Sequence, residues 1–211
     1  VNKALPRPCI YVLAGTNGAG KSSIIGEMFV AQGVEYFNPD SAAKRIIAAN
    51  LGISLSDANS TARYEGKRLL ERAIHERQDF VFETTLGGNT ITSLLERALF
   101  EEIEVRVWYV GLNSAELHVA RVRSRVKHGG HDIPEDKIRE RFVQSRLNLI
   151  QLLPKLTELL VYDNSEESDP KTGETPEPKL ILHCIHGKIS ESCALNQVPE
   201  WAKPILAVAM T

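Results

Sequence analysis

Residues 15–22 read Gly15-Thr16-Asn17-Gly18-Ala19-Gly20-Lys21-Ser22, between the apolar run Cys9-Ile10-Tyr11-Val12-Leu13-Ala14 and the helix-like Ser23-Ile24-Ile25-Gly26-Glu27-Met28-Phe29. The octet satisfies G-x-x-x-x-G-K-[ST], and a buried strand before it with a helix behind it is the setting in which that pattern cradles phosphate. Gly15, Gly18 and Gly20 open backbone conformations closed to other residues, so that successive N–H groups can turn toward one anion. The cradle so defined takes in Gly15, Asn17, Gly18, Ala19, Gly20, Lys21, Ser22 and Ser23. A helix beginning near Lys21 adds its positive end. Lys21 is placed to reach the β- and γ-phosphates, and the Ser22 hydroxyl to take a position on Mg²⁺.

The rest of the composition bounds what surrounds this loop. A chain of 211 residues suits one domain spanning 1–211 with a substantial core. Its formal net charge of −2 argues against general attraction to nucleic acid or to an acidic membrane, so anion recognition has to be local. Cys9, Cys184 and Cys193 have no metal-like spacing and read as reduced thiols of a cytoplasmic protein. Pro6 and Pro8 interrupt any signal-peptide plan, and the apolar stretch Ile205–Met210 is too short to cross a bilayer.

Along the chain, helical and strand-like patterns alternate. A helix over roughly 21–32 leads to a short strand at Val34-Glu35-Tyr36-Phe37. Two helices follow, one to about Asn50 and one over about 58–77, and read as an insert on the sheet edge. Strands are expected at Phe80–Thr85, Ile103–Val110, Leu159–Tyr162 and Lys179–Ile185, with a helix over 90–101. This order predicts a three-layer α/β fold with a mainly parallel sheet of five to six strands. In such sheets the ligand site lies beyond the carboxyl ends of the strands. Two basic helices around Gly129-Gly130, spanning about 114–153, have the plan of a closing lid, and Asp132 with Glu135 resembles a capping box. Residues 163–178 read as a solvated, mobile loop, and Pro204 as a bend in a C-terminal helix beginning near Pro199.

Phosphoryl transfer needs a base for the nucleophile and positive charge on the transferred group. Asp40, after the strand-like Val34–Phe37, is either that base or the N-cap of the next helix, with Ser41 able to cap instead. Glu83 ends an apolar strand, where it either orients the acceptor or holds a water on Mg²⁺, with Thr84 and Thr85 as hydroxyl partners; the plain alternative is a loop carboxylate beside a helix-capping threonine. Arg125 and Arg139 are the lid arginines expected to clamp the phosphoryl group, with Arg141 next, although Arg139 can equally pair with Glu135. His128 and His131 read as exposed loop residues.

The octet, Asn38-Pro39-Asp40, Glu83-Thr84-Thr85, and the segment from Arg125 through Gly129-Gly130-His131 to Ile138-Arg139-Glu140-Arg141-Phe142 together resemble the zeta-toxin-like P-loop kinases over most of residues 9–165. The resemblance implies a Mg²⁺-dependent phosphotransferase using ATP or GTP. It also implies Asp40 as base, Lys21 as the loop lysine and lid arginines on the phosphates. The implied acceptor is a hydroxyl of a small molecule, of which the nucleotide sugar UDP-N-acetylglucosamine is the family example, and the implied partner is a small antitoxin. Two other readings stay open. One is a kinase of polynucleotide ends, which would favour a basic groove with stacking aromatics; the other is a nucleotide-dependent switch.

Overall fold

Strand β1 (Cys9–Ala14) is apolar on both faces because it lies inside the sheet, with Tyr11 alone half-buried. It pairs in parallel with β2 (Phe80–Thr84) on one side and β3 (Glu104–Gly111) on the other. The computed structural model describes residues 7–26, 35–130, 132–166 and 176–211. Strand β4 (Glu158–Asp163) continues the parallel set, and β5 (Lys179–Ile185) and β6 (Lys188–Ser192) close it antiparallel, giving the order β2-β1-β3-β4-β5-β6.

The expected strand at 34–37 reduces, in its described part, to a single parallel bridge between Phe37 and Phe82. Phe37 both donates to Val81 O at 2.9 Å and accepts from Glu83 N at 2.8 Å, so it extends the sheet by one residue only. The expected helix over 21–32 is seen as a π-helical turn at Ser22–Gly26; its continuation lies outside the described residues.

Helix α2 (Leu55–Glu76) packs against the edge strand β2, and helix α1 (Pro39–Ala49) packs on α2. Alanines 42, 43, 58 and 62 line their contact, and side chains this small let the two backbones approach closely. Helix α3 (Asn89–Phe100) returns the chain to β3. One face of the sheet carries Val12, Val107, Tyr109 and Val161 into the main core with Leu95, Leu149 and Ile205. The other face is smaller, with Leu13, Val81 and Val110 against Ala19 of the loop.

The two basic helices are α4 (Ala115–Lys127) and α5 (Glu135–Leu152). They are not a free flap, because the second half of α5 is core. Leu149 and Leu152 are fully buried, Ser145 Oγ lies 3.0 Å from Tyr109 Oη, and Asn148 Nδ2 donates to Leu86 O at 2.8 Å. The capping box does not form. Pro134 holds the cap position, and Asp132 Oδ1 instead accepts from its neighbour Ile133 N at 2.9 Å.

Beyond β4 the sequence reading missed β6. His186 and Gly187, both at positive φ (49° and 72°), make the two-residue turn that pairs it with β5. Helix α6 (Lys203–Ala209) begins later than expected. Pro204 sits in its first turn, where its missing N–H costs nothing, rather than bending it. Most of the loop expected over 163–178 lies outside the described residues, and Asp163 belongs to β4. Among the described residues no helix is long and apolar enough to cross a membrane.

Candidate active site

The loop after β1 is shaped by its neighbours as well as its glycines. Gly18 and Gly20 take φ of +83° and +90°, and a Cβ at either would also collide, with the His118 carbonyl at 2.8 Å or with Asn164 Nδ2 at 2.7 Å. Two loop carbonyls are held from outside: Asn17 O lies 2.8 Å from His118 Nδ1, and Ala19 O accepts from Asn164 Nδ2 at 2.9 Å. Gly15 backs onto the Val110 carbonyl, Ala19 is fully buried and Ser23 is exposed.

Lys21 is 5% exposed, with Nζ 3.6 Å from Glu83 Oε1 and a hydrogen bond to Thr16 O at 3.4 Å. Ser22 Oγ donates to Glu83 Oε2 at 2.7 Å and Asn38 Nδ2 to the same oxygen at 2.9 Å. The carboxylate that ends an apolar strand is thus met by an ammonium and two neutral donors, which offsets its loss of water. Thr84 and Thr85 turn the chain that follows, their hydroxyls accepting from Leu86 N at 3.0 Å and Gly87 N at 3.4 Å. All three residues line the cleft.

Asp40 does not cap α1. Asn38 does, its Oδ1 accepting from Ser41 N at 3.0 Å. The Asp40 carboxylate therefore stands in the first turn facing the cleft, with Arg125 Nη1 of α4 3.5 Å from its Oδ2. Arg139 lies on the exposed side of α5, bound to Glu135 at 2.7 Å and to Glu116 at 2.6 Å, so it is not brought to the loop. Arg141, two residues on, is: its Nη1 donates to Asn17 Oδ1 at 2.8 Å. Burial, together with the charge of Arg63 opposite, lowers its pKa. The Arg141 side chain crosses Gly87, where a Cβ would stand 2.7 Å from its Cγ. Arg121 reaches away to Glu166 O at 2.9 Å, and His128 is exposed, its ring bonded within its own helix end; His131 lies outside the described residues.

Asn17, Lys21, Asp40, Glu83, Thr84 and Arg141 open onto one cleft of about 760 Å³. Asn17 and Lys21 line its loop end and Asp40 and Glu83 its middle. Arg63, Tyr64 and Lys67 of α2 line it together with Lys137 and Arg141 of α5. His118 is 1% exposed; burial pushes its pKa down to about 4, so it is neutral at pH 7. Its one proton has to sit on Nδ1, because a carbonyl can only accept.

The zeta toxin family model matches residues 2–169. The chain belongs to the zeta toxin family. It is 34% identical over 129 residues to an uncharacterized protein of Haemophilus influenzae, which covers 61% of this chain and 88% of that one. Among solved structures it is similar to AvrRxo1-ORF1 in complex with ORF2 and ATP (TM-score 0.65, 17% identity). It is also similar to a chain of the PezAT chromosomal toxin-antitoxin system of Streptococcus pneumoniae (TM-score 0.53, 15% identity) and to a putative kinase from Chloroflexus aurantiacus (TM-score 0.51, 16% identity). The three alignments take in 96%, 83% and 67% of this chain and 64%, 76% and 80% of theirs; the chain thus spans under two thirds of the first. At these identities the likeness is one of fold.

Within this zeta toxin family chain, sequence reasoning passed over Arg63, His118 and Asn164 and quoted Asn38 without giving it a role. His118 had a readable signal, since Ala115, His118, Val119 and Val122 recur at the spacing of one buried helix face. Asn164 stands just past the carboxyl end of β4, where ligand-site residues gather. Asn38 precedes a proline at N1, the place of a cap. Arg63 had none, being one of several basic residues on an exposed helix.

Proposed function

We propose that this chain is a Mg²⁺-dependent P-loop kinase that moves the γ-phosphate of ATP or GTP to a hydroxyl of a small molecule. The observation that carries this reading is the single cleft that runs from Lys21 past Asp40 to the cationic wall of α2. The loop N–H groups and Lys21 hold the donor phosphates. Ser22 Oγ and the Glu83 carboxylate that accepts from it are oxygen groups suited to Mg²⁺, an ion that takes few protein ligands besides phosphate and water, while Asn38 Nδ2 orients that carboxylate. An ion held there would supply neutralisation of the charge on the donor phosphates. Asp40 takes the acceptor's hydroxyl proton as its oxygen bonds to the γ-phosphorus, and the bond to the β-phosphate oxygen breaks with its electron pair leaving on the nucleoside diphosphate. Arg125, paired with Asp40 in this structure, is placed to follow the charge to the transferred group, and Arg141 stands over the loop end of the cleft.

Arg63, Lys67 and Lys137 favour an acceptor that already carries phosphate, and the exposed ring of Tyr64 offers a face for a base. A nucleotide sugar such as UDP-N-acetylglucosamine meets both demands. The family and the two neighbours solved in named assemblies support an antitoxin as a protein partner. The whole chain acts here as one catalytic unit, with α4 and α5 as its arginine-bearing cover.

The deciding experiment is mass spectrometry of nucleotide sugars, nucleotides and cell extract after incubation with the protein and Mg²⁺-ATP or Mg²⁺-GTP. A gain of one phosphate on a small molecule that is lost with Asp40→Asn supports the kinase. Nucleotide binding with no phosphorylated product in any arm overturns it in favour of a switch.

A further inference from the structure

The loop's peptide groups face in two directions, and both outward-facing carbonyls with side-chain donors are met by residues from different elements. His118 of α4 reaches Asn17 O, and Asn164, one residue past β4, reaches Ala19 O. Between and after these carbonyls lie Gly18 and Gly20, both at positive φ, and the Ala19 N–H closes the turn between them on Thr16 O at 3.2 Å. We infer that His118 and Asn164 are positioning residues that fix the phosphate loop in its anion-accepting shape before any nucleotide arrives. The inference rests on reading the loop as a nucleotide site.

Both donors are themselves held. The His118 ring packs edge-on against Phe142, centroids 5.6 Å apart, and its proton is committed to Nδ1. Asn164 sits in a braced turn: its N–H donates to Gly111 O at 3.0 Å, and its neighbour Asp163 accepts from Ser165 Oγ at 2.5 Å and from Trp201 Nε1 at 3.0 Å. Ser165 Oγ in turn accepts from Asn113 N at 2.8 Å. Trp201 lies beyond residue 169, where the family match ends, so the C-terminal segment of this chain reaches the phosphate loop through Asp163 and Asn164. Without these two donors the carbonyls at 17 and 19 are free to rotate inward, where they would repel phosphate. Nucleotide would then have to order the loop as it binds.

The test is calorimetric titration of the full chain with MgADP, alongside thermal melts, for His118→Leu, His118→Asn and Asn164→Ala. Losing one such hydrogen bond is expected to weaken MgADP about five- to tenfold. His118→Asn, whose amide N–H falls near the place of Nδ1–H, should recover affinity to within about twofold of the natural protein, which a merely space-filling histidine would not predict. Asn164→Ala, at a half-buried position, should lose affinity while melting with the natural protein. The inference is overturned if Asn164→Ala binds MgADP as the natural protein does, or if His118→Asn is as weak as His118→Leu; should His118→Leu not fold, the Asn164 arm decides. Failure of the natural protein to bind MgADP would instead remove the nucleotide reading of the loop, a distinct result.

Discussion

The two ends of the cleft are built differently. At the donor end the side chains and two of the loop carbonyls are matched across elements of the protein: Lys21 and Ser22 on Glu83, Asn17 on His118 and Arg141, Ala19 on Asn164. At the acceptor end Arg63 and Lys67 are tied to their own helix, to Ser60 Oγ at 3.0 Å and to Glu71 at 3.2 Å, and the ring of Tyr64 is 67% exposed. A preformed end binds what all members of a fold share, while cations held by exposed contacts on their own helix can be redirected to a ligand at little cost.

Substitutions sharpen that contrast in order of effect. Asp40→Asn, between the two ends, should lower kcat by about 10³-fold while leaving the nucleotide dissociation constant within about twofold, measured by product formation and calorimetry. Lys21→Ala strikes the donor end: it removes a cation and leaves Glu83 in a nearly closed site, and nucleotide affinity should fall roughly 10²-fold. At the acceptor end Arg63→Gln should raise KM for a phosphate-bearing acceptor about tenfold and spare nucleotide affinity; equal losses at both would erase the distinction.

Acid should weaken the donor end through His118. Its folded pKa near 4 is below the ordinary value of 6.5, so the stability tied to the neutral ring is complete above pH 6.5 and is lost as pH falls toward 4. By pH 5 the loss should approach about 2 kcal/mol in urea melts, and His118→Leu should show a flatter profile over the same window. The smallest effect belongs to Arg139→Ala. Its partners Glu116 and Glu135 are surface carboxylates, and kcat should fall less than about threefold, well short of Arg125→Ala.

The same contrast governs what the sequence made legible. Gly15 to Ser22 declares itself because a phosphate nest needs contiguous residues of fixed type, and strand-ending Glu83 follows from the parallel order. The acceptor wall draws on α1, α2, α5 and the Thr84–Gly88 turn, four segments far apart in the chain, so no local pattern reveals Arg63. Arg139 and Arg141 differ by two places on one helix, a rotation of some 200°, and only packing decides which faces the loop. Strand β6 escaped because all five of its residues are exposed: with no buried face there is no alternation to read, though Gly187 after His186 marked the turn.

Trp201 has an optical consequence. The chain has two tryptophans. Trp108 stacks on Tyr11, whereas Trp201 hydrogen-bonds the carboxylate beside the residue that grips the phosphate loop. With Trp108→Phe as background, the remaining indole's emission reports whether that brace moves as nucleotide enters, and a preformed loop is expected to leave it nearly unchanged where Asn164→Ala does not.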